Sequence, residues 1–257
     1  LNGSVGATIY WQSSTDNSTF TTIANANNTS YTATNLTQNT YYRAIVKSGV
    51  CSEDTSAAVL MTVSPATVVG TLSNDTTVCA TNSNINLTLN GYVGAVQWQI
   101  ATASNGSFSN ISGATSGTLG TGTLSATRYY KARVVSGACD TLYSGVVTVT
   151  VVPASNAGTI TGATTVCAGS NSAQLSVSGT VGTIQWQSST NNTDFTDING
   201  EAGTSLSVSG LTQTTYYRVR VKNGICDEAI GNAVTITVRD RKSTRLNSSH
   251  VALSRMP

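Results

Sequence analysis

The feature that most constrains the fold of this chain is a set of landmarks that recur every 87 or 88 residues. The tryptophans Trp11, Trp98 and Trp186 keep this spacing. Three tyrosines and three cysteines keep it as well: Tyr42, Tyr130, Tyr217, Cys51, Cys139 and Cys226. Self-similarity at a fixed period indicates one structural unit repeated along the chain. This period is too long for most solenoid repeats and suits a small autonomous β-domain.

Within each repeat, apolar and polar residues alternate as in half-buried β-strands. One such run reads YYRVRVK, from Tyr216 to Lys222, and a second surrounds each tryptophan as TIYWQ, AVQWQ or TIQWQ. Alternation with a period of two predicts strands, and short strands separated by turn-rich segments predict β-sandwiches. The chain is therefore predicted to be all-β. The predicted core aromatic residues are Trp11, Trp98, Trp186, Tyr42, Tyr130 and Tyr217.

Prolines mark the predicted joins between repeats. Pro65 and Pro153 are 88 residues apart, and each follows the last strand of one repeat and precedes the first strand of the next. Proline cannot donate a hydrogen bond to a central ladder, so it suits such an entry position. The predicted domains are residues 1–64, 65–152 and 153–239.

The stretch LTQTTYYRVRVKNGIC, from Leu211 to Cys226, has near-copies in the other two repeats. Leu211 lies six residues before Tyr217. This spacing resembles the tyrosine corner of immunoglobulin-like and fibronectin type III sandwiches, in which a buried tyrosine hydroxyl bonds back to the backbone near the preceding corner. The resemblance predicts tandem immunoglobulin-like (fibronectin III-like) β-sandwiches.

The cysteines predict one disulfide in each complete repeat. Cys79 and Cys167 are also 88 residues apart, so even pairing at constant spacing suggests Cys79 with Cys139 and Cys167 with Cys226. Disulfides imply an oxidising compartment. A metal site is the alternative, but the sequence has no CxxC motif. Cys51 is left unpaired, which we attribute to truncation of the first repeat at its N-terminus; a reactive thiol is the alternative.

Taken together, residues 1–239 resemble the Ig-like repeats of very large secreted surface proteins of Bacteroidetes-type bacteria, which often carry a type IX secretion sorting domain. The segments AGTITGATTVCAGSNSAQLSVSGTVGTIQWQSSTNNTDFTDING and LTQTTYYRVRVKNGIC carry the resemblance. It implies extracellular or cell-surface display, adhesion or spacing, with neighbouring repeats of the same chain as partners. The second cysteine lies nine residues after the corner tyrosine, unlike in antibody-type domains. The disulfide is therefore expected to tie the first-strand region to a terminal hairpin.

The sequence offers no catalytic constellation. Its one histidine, His250, lies in the C-terminal tail, so a Ser-His-Asp or Cys-His arrangement cannot be built from residues 1–239. GxSxG and phosphate-binding glycine motifs are absent. No apolar run approaches the eighteen or so residues of a membrane helix. We predict a non-enzymatic protein without a cofactor and without membrane insertion.

Clusters of charged residues suggest two binding alternatives. Asp194, Asp197 and Glu201 lie near one hairpin and could coordinate Ca²⁺, although a solvated turn is the favoured interpretation. The pairs Glu53/Asp54 and Asp227/Glu228 could likewise coordinate Ca²⁺, near one end of a domain, with the same solvated interpretation favoured. The strand cations Arg218, Arg220 and Lys222 are candidates for binding an acidic glycan, although such a face more often keeps a strand soluble.

The C-terminal segment, residues 240–257, is predicted to be a non-native tail. Asp240 to His250 reads DRKSTRLNSSH, which matches the in-frame translation of a common sequencing adapter. A basic tail that binds nucleic acid or anionic lipid is the alternative. Without this segment, nine cations face ten acids and the formal net charge falls from +2 to −1. The charge therefore gives no support for nucleic-acid binding.

These observations predict a stalk or spacer segment of a bacterial surface adhesin-like protein. The alternatives are an adhesin array that binds carbohydrate or a host or cell-surface protein, and an accessory spacer of a secreted hydrolase.

Overall fold

The computed structural model describes residues 8–240, and all regular structure in this range is β-sheet. The predicted tail lies outside the described residues apart from Asp240. Residues 8–240 contain no helix that could cross a membrane. The prediction of an all-β fold is confirmed.

The described part of the first repeat, residues 8–64, forms a single sheet. Its strands are β1 (Thr8–Ser14), β2 (Thr21–Thr22), β3 (Thr40–Lys47), β4 (Asp54–Thr55) and β5 (Val59–Met61). The sheet order is β2-β1-β3-β4, and β5 also pairs with β3. The long central pair β1 and β3 is antiparallel, with Trp11 opposite Ala44.

The second and third repeats have nine strands each. Those of the second repeat are β6 (Thr71–Leu72), β7 (Thr76–Cys79), β8 (Asn86–Asn90), β9 (Ala95–Ala101), β10 (Ser109–Asn110), β11 (Thr118–Gly120), β12 (Arg128–Val135), β13 (Leu142–Tyr143) and β14 (Val147–Val152). Those of the third repeat are β15 (Thr159–Thr161), β16 (Thr164–Cys167), β17 (Ser172–Ser178), β18 (Thr183–Ser189), β19 (Thr196–Asp197), β20 (Ser205–Ser209), β21 (Thr215–Lys222), β22 (Ala229–Ile230) and β23 (Val234–Arg239).

Each of these two repeats has one six-stranded and one three-stranded sheet. The six-stranded sheets run β10-β9-β12-β14-β7, with β13 also on β12, and β16-β23-β21-β18-β19, with β22 also on β21. The three-stranded sheets run β11-β8-β6 and β15-β17-β20. In both repeats the first strand of the large sheet is parallel to the last, as β7 with β14 and β16 with β23. These are tandem immunoglobulin-like β-sandwiches.

The core of the third repeat lies between its two sheets. Trp186 and Val219 of the large sheet and Leu175 and Leu206 of the small sheet belong to one buried cluster. Alternation along β17, β20 and β21 explains this placement, because every second side chain points inward. Each fully buried apolar side chain contributes about 1.5–3 kcal/mol through removal from water. Of the predicted core aromatic residues, Tyr42, Trp98, Tyr130, Trp186 and Tyr217 are buried and Trp11 is partly buried.

Each core tryptophan satisfies its indole N–H in the same way. Nε1 of Trp11, Trp98 and Trp186 donates to a loop carbonyl at 3.0, 2.8 and 2.9 Å, respectively. A buried donor without a partner costs about 1–3 kcal/mol, so this bond allows tryptophan to be placed in the core. The acceptor lies 17 or 18 residues after the tryptophan in every repeat.

Two of the corner tyrosines have a threonine two residues earlier that bonds to the backbone. Thr215 Oγ1 donates to the Gln213 carbonyl at 3.1 Å, and the Thr215 side chain partly offsets the rise in the pKa of Tyr217. The first repeat has the same arrangement, with Tyr42, Thr40 and Gln38. In the second repeat Arg128 replaces the threonine, and the buried Tyr130 hydroxyl has no hydrogen-bond partner in residues 8–240. Burial raises the pKa of Tyr130 and of Tyr217.

The disulfide in the structure corrects the predicted pairing. Cys79 of the second repeat bonds to Cys226 of the third, 147 residues later. Cys139 and Cys167, which were predicted to form bonds within their own repeats, are free, as is Cys51. The bond therefore ties a first-strand cysteine to a hairpin cysteine, as expected, but the two belong to neighbouring repeats.

The sheet topology explains why pairing within a repeat fails. In the third repeat, Thr164 and Thr215 are both opposite Ile236. From that level, β16 runs three residues to Cys167 in one direction, whereas β21 runs seven residues in the other before the turn that leads to Cys226. At about 3.3 Å per residue, roughly 30 Å separates the two cysteines. A disulfide needs Cα atoms within about 7 Å. The second repeat has the same topology.

Candidate functional site

The predicted glycan-binding cations lie on the outer face of the third repeat, on β21. This strand pairs along its whole length with β18, and β18 pairs with the short strand β19. Alternation along β21 buries Tyr217 and leaves Arg218 and Arg220 on the opposite face. The structure brings Arg218 and Arg220 into one polar network, while Lys222 is exposed at the end of the strand.

Arg218 is held between an aromatic ring and an amide. Its guanidinium carbon lies 4.0 Å from the centroid of the Phe195 ring, a cation–π arrangement. Its Nε donates to Gln187 Oε1 at 2.8 Å, and Gln187 Nε2 donates to Asp197 Oδ1 at 2.7 Å. We call these four side chains the clamp. Phe195 and Asp197 lie on the hairpin that contains β19, so the clamp fastens this hairpin to β21.

The stack of a cation on an aromatic ring recurs in the other repeats. In the first repeat, Arg43 stacks over Phe20 at 3.8 Å and donates to Gln12 Oε1 at 2.8 Å. In the second repeat, the Lys131 ammonium lies 4.4 Å from the centroid of the Phe108 ring. Because every repeat has this stack of a cation on an aromatic ring, the stack serves the fold of each repeat. It does not mark the third repeat as a separate binding site.

Arg220 belongs to a network found in the third repeat. Its Nη2 lies 2.9 Å from Asp197 Oδ2, and its Nη1 lies 3.2 Å from Glu228 Oε1. Two flanking carboxylates offset the positive charge of the guanidinium, which reduces its attraction for an acidic ligand. The first repeat has Ile45 and Thr22 at the positions of Arg220 and Asp197, so the network does not recur there.

A shallow cleft of about 240 Å³ lies beside this network. Lys222 is one of its lining residues and forms no ion pair with any residue in the range 8–240. Of the three candidate cations, Lys222 is therefore the one with a charge available to a ligand. The cleft is lined by Thr183, Ile184, Gln185, Arg220, Lys222 and Glu228.

The carboxylates of this face bind other protein groups. Asp197 contacts Gln187 and Arg220, and Asp194 Oδ2 accepts a hydrogen bond from the Asn191 amide at 2.6 Å. In the part of the chain that the structure describes, no group of three or more His, Cys, Asp or Glu side chains could hold a metal ion. The trio Asp194, Asp197 and Glu201 therefore has no geometric support as a calcium site there. The calcium alternative at the two acidic pairs stays a prediction.

An apolar groove of about 220 Å³ lies on the first repeat. Its aromatic wall is a stack in which the Trp11 and Tyr31 ring centroids are 6.0 Å apart and those of Tyr31 and Tyr42 are 5.7 Å apart. Val59 and Met61 complete the groove and are exposed. In the second and third repeats, this side of the sheet is covered by the small sheet. Residues 8–64 form no second sheet, so within the described residues the groove is the uncovered apolar face of the large sheet.

Alternation along the strand predicted the cations on the outer face, but it did not connect them with their aromatic partners. A usable signal was present, since Phe20, Phe108 and Phe195 recur at 88 and 87 residues. A phenylalanine that keeps the repeat period on a polar hairpin indicates a conserved structural contact within each repeat.

Together, the repeated sandwich, clamp and corner define a class of tandem immunoglobulin-like proteins built from one unit. The chain belongs to the family described as Domain of unknown function (DUF8696), which it matches three times, over residues 1–65, 68–153 and 156–240. No curated protein matches this chain.

Several solved structures are similar to the chain at low identity. Drosophila OTK, extracellular domains 3–5, is 9% identical, with 91% of this chain and 86% of that chain covered and a TM-score of 0.40. The chicken CNTN1 FN1–FN3 domains are 10% identical, with 91% and 90% covered and a TM-score of 0.34. Murine CEACAM1b is 16% identical, with 63% and 96% covered and a TM-score of 0.40. At such identities no shared function follows.

Proposed function

We propose that this chain is a non-enzymatic segment of an extracellular bacterial surface protein, in which the repeats form a stalk or spacer that displays other parts of an adhesin-like molecule. The observation that supports this proposal is that polar and charged side chains of each repeat bind groups of the same repeat. Each repeat stacks a strand cation on its own phenylalanine and bonds its indole N–H to its own loop. Such a unit is built to stay folded.

The disulfide supports an extracellular setting. Disulfides persist in oxidising compartments and are rare in reducing ones. The bond between Cys79 and Cys226 also joins two repeats covalently, which suits a segment that must remain intact outside the cell. The bacterial origin rests on the sequence resemblance.

We place the repeat boundaries at 64/65 and 152/153. Pro65 and Pro153 support these positions, because each comes soon after the last strand of a repeat. β5 ends at Met61, three residues before Ser64/Pro65 is reached. In the structure β14 ends at Val152, directly before Pro153.

Single-molecule stretching of the full chain tests the stalk. With a reductant present, the second and third repeats should unfold in two separate force steps. Each step should add about 300 Å of contour length, from 88 or 87 residues at about 3.6 Å per residue. Without the reductant, the residues between Cys79 and Cys226 should not extend. Gradual extension of the reduced repeats without force steps would count against a load-bearing role.

A second function, binding of an acidic glycan, is favoured by the charge of Lys222, which lines the cleft and has no ion-pair partner among residues 8–240. A glycan array probed with the wild-type chain and with Lys222→Ala tests this function. Arg218→Ala is a poor probe because it also breaks the clamp. Binding that is lost in Lys222→Ala supports the glycan site. An array without signal for the wild type excludes it for the glycans tested.

A further inference from the structure

The five cysteines occupy two kinds of position that recur at the repeat period. The first kind ends the turn after the long central strand, and we call these Cys51, Cys139 and Cys226 the hairpin cysteines. The second kind ends the strand that is parallel to the last strand, and we call Cys79 and Cys167 the first-strand cysteines. The observed disulfide joins a first-strand cysteine to the hairpin cysteine of the next repeat.

The hairpin position has the same backbone whether its thiol is bonded or free. The N–H of bonded Cys226 donates to the carbonyl three residues earlier at 3.0 Å, and that of free Cys139 does so at 2.9 Å. Gly224 and Gly137 in these turns both have φ of 54°, in the left-handed region that favours glycine. The free turn is therefore already in the geometry of the bonded one.

The surroundings of the sulfur atom also match. Sγ of Cys226 lies 3.2 Å from the carbonyl oxygen of Pro153, and Sγ of Cys139 lies 3.4 Å from that of Pro65. The two prolines are equivalent positions, one repeat apart. The Cys139 thiol is therefore held beside the start of its own repeat. Cys226 lies at the equivalent place in the third repeat, where it bonds to Cys79 of the repeat before it.

The first-strand position is equally repeated. The residue after Cys79 donates its N–H to the Val152 carbonyl at 2.9 Å, and the residue after Cys167 donates to the Arg239 carbonyl at 3.0 Å. Val152 and Arg239 are the last residues of their repeats' final strands. Cys167 is therefore held at the end of the third repeat as Cys79 is held at the end of the second.

We propose that each junction between successive repeats of this kind is closed by a disulfide from the first-strand cysteine of one repeat to the hairpin cysteine of the next. Cys139 is then the site for a first-strand cysteine of a preceding repeat, and Cys167 is the site for a hairpin cysteine of a following repeat in the same polypeptide. Two thiols lose two protons and two electrons as the S–S bond forms, and an external disulfide such as oxidised glutathione is reduced to two thiols. The proposal concerns connectivity and does not depend on the stalk function.

An extended chain tests the proposal. A second copy of residues 153–239 is inserted directly after Arg239, which adds one cysteine of each kind. The copy carries Ile225→Val, so that its hairpin-cysteine peptide differs in mass from the peptide of Cys226. Both chains are oxidised with glutathione, alkylated without reduction and mapped by peptide mass spectrometry. In the original chain, Cys51, Cys139 and Cys167 should be alkylated. In the extended chain, Cys167 should instead be cross-linked to the hairpin cysteine of the added repeat, while the added first-strand cysteine is alkylated.

Two variants of the extended chain serve as matched controls. Cys167→Ser should leave the added hairpin cysteine alkylated and the Cys79–Cys226 cross-link intact, which also shows that the second and third repeats still fold. Cys139→Ser should change neither cross-link. Three results overturn the proposal: a Cys79–Cys139 peptide, a Cys167 that stays alkylated in the extended chain, or disulfide-linked dimers through Cys167 in place of the second cross-link.

Discussion

The first and third repeats contain equivalent residues in different surroundings. Trp186 is completely buried between two sheets, whereas Trp11 is partly buried on a sheet that no second sheet covers within residues 8–64. The large sheet is similar in both, with the tryptophan strand antiparallel to the tyrosine strand over seven residue pairs. The difference is the small sheet, to which Leu175 and Leu206 belong. The strands of the large sheet are therefore hydrogen-bonded in both repeats. Its apolar side forms a closed core in the third repeat, where the small sheet covers it.

The largest difference is expected for removal of the tryptophan. Trp186→Ala should cost about 3–5 kcal/mol of local stability, because it leaves a cavity in a closed core. Trp11→Ala should cost about 1–2 kcal/mol, since its side chain is already partly hydrated. Hydrogen exchange of the full chain, read on the peptides of each repeat, measures both effects. Equal losses would show that the open face of the first repeat is covered in solution.

A smaller difference in stability is expected when the same substitution is made at two equivalent valines. Val147 is buried with 1% of its surface exposed, whereas Val59, 88 residues earlier, is 62% exposed. Val147→Thr places a hydroxyl in the core and should cost about 2 kcal/mol. Val59→Thr should be close to neutral because water solvates its hydroxyl. Hydrogen exchange of β12 and β3 reports the two changes, and a similar cost at both positions would contradict the comparison.

Replacement of a corner tyrosine by phenylalanine should change the free energy of unfolding in opposite directions in the second and third repeats. Tyr217→Phe removes the interaction of the hydroxyl with the Thr215 side chain and should cost about 1 kcal/mol. Tyr130→Phe removes a buried hydroxyl that lacks a hydrogen-bond partner among residues 8–240, and it should stabilise the second repeat by up to about 1 kcal/mol. Urea unfolding of each variant under reducing conditions measures the change in midpoint. A loss of stability in Tyr130→Phe would show that its hydroxyl is satisfied in solution.

The smallest expected effect is a pH dependence of one loop. Backbone N–H groups of Thr19 and Ser18 hold the pKa of Asp16 well below its ordinary value of 3.8. The bonded carboxylate therefore stabilises this loop above about pH 4, and the contribution is lost as pH falls further. The third repeat has Asn191 at the equivalent position, with its amide oxygen accepting bonds from Thr193 and Asp194, so this loop should not respond in that way.

Amide exchange at the two loops, corrected for its intrinsic pH dependence, checks this difference between pH 5 and pH 2.5. Asp16→Asn is the matched variant and should remove the pH response of the first loop while keeping its hydrogen bonds. A response that persists in Asp16→Asn would assign the titration to another group.

The sequence predicted the sandwiches and most of the buried aromatic residues because a period of two directly reports which side chains face inward. It did not predict the disulfide. Cys139 and Cys226 occupy equivalent positions in successive repeats. The repeat pattern therefore does not distinguish pairing of Cys79 with Cys139 from pairing of Cys79 with Cys226. The parallel pairing of β7 with β14 decides between them, because it places Cys79 at the end of its repeat. That pairing joins distant segments and leaves no local signal.

The candidate site shows a similar limit. Alternation placed Arg218 and Arg220 on the outer face, as the structure does. Their partners Phe195, Asp197 and Glu228 lie on hairpins and turns, where side-chain direction does not follow a simple period. The sequence therefore indicated a charged face, and the structure shows that two of its three cations are already bound by the protein.

The bond between Cys79 and Cys226 turns the polypeptide between them into a closed covalent ring. An extracellular protease that cuts one loop inside this ring opens the chain without releasing either fragment. With a bond at every junction, successive rings overlap, so the stretch from Cys167 to Cys226 belongs to two of them. A single nick in such a stretch would leave the whole array in one piece, and separation would require a second cut or a reductant.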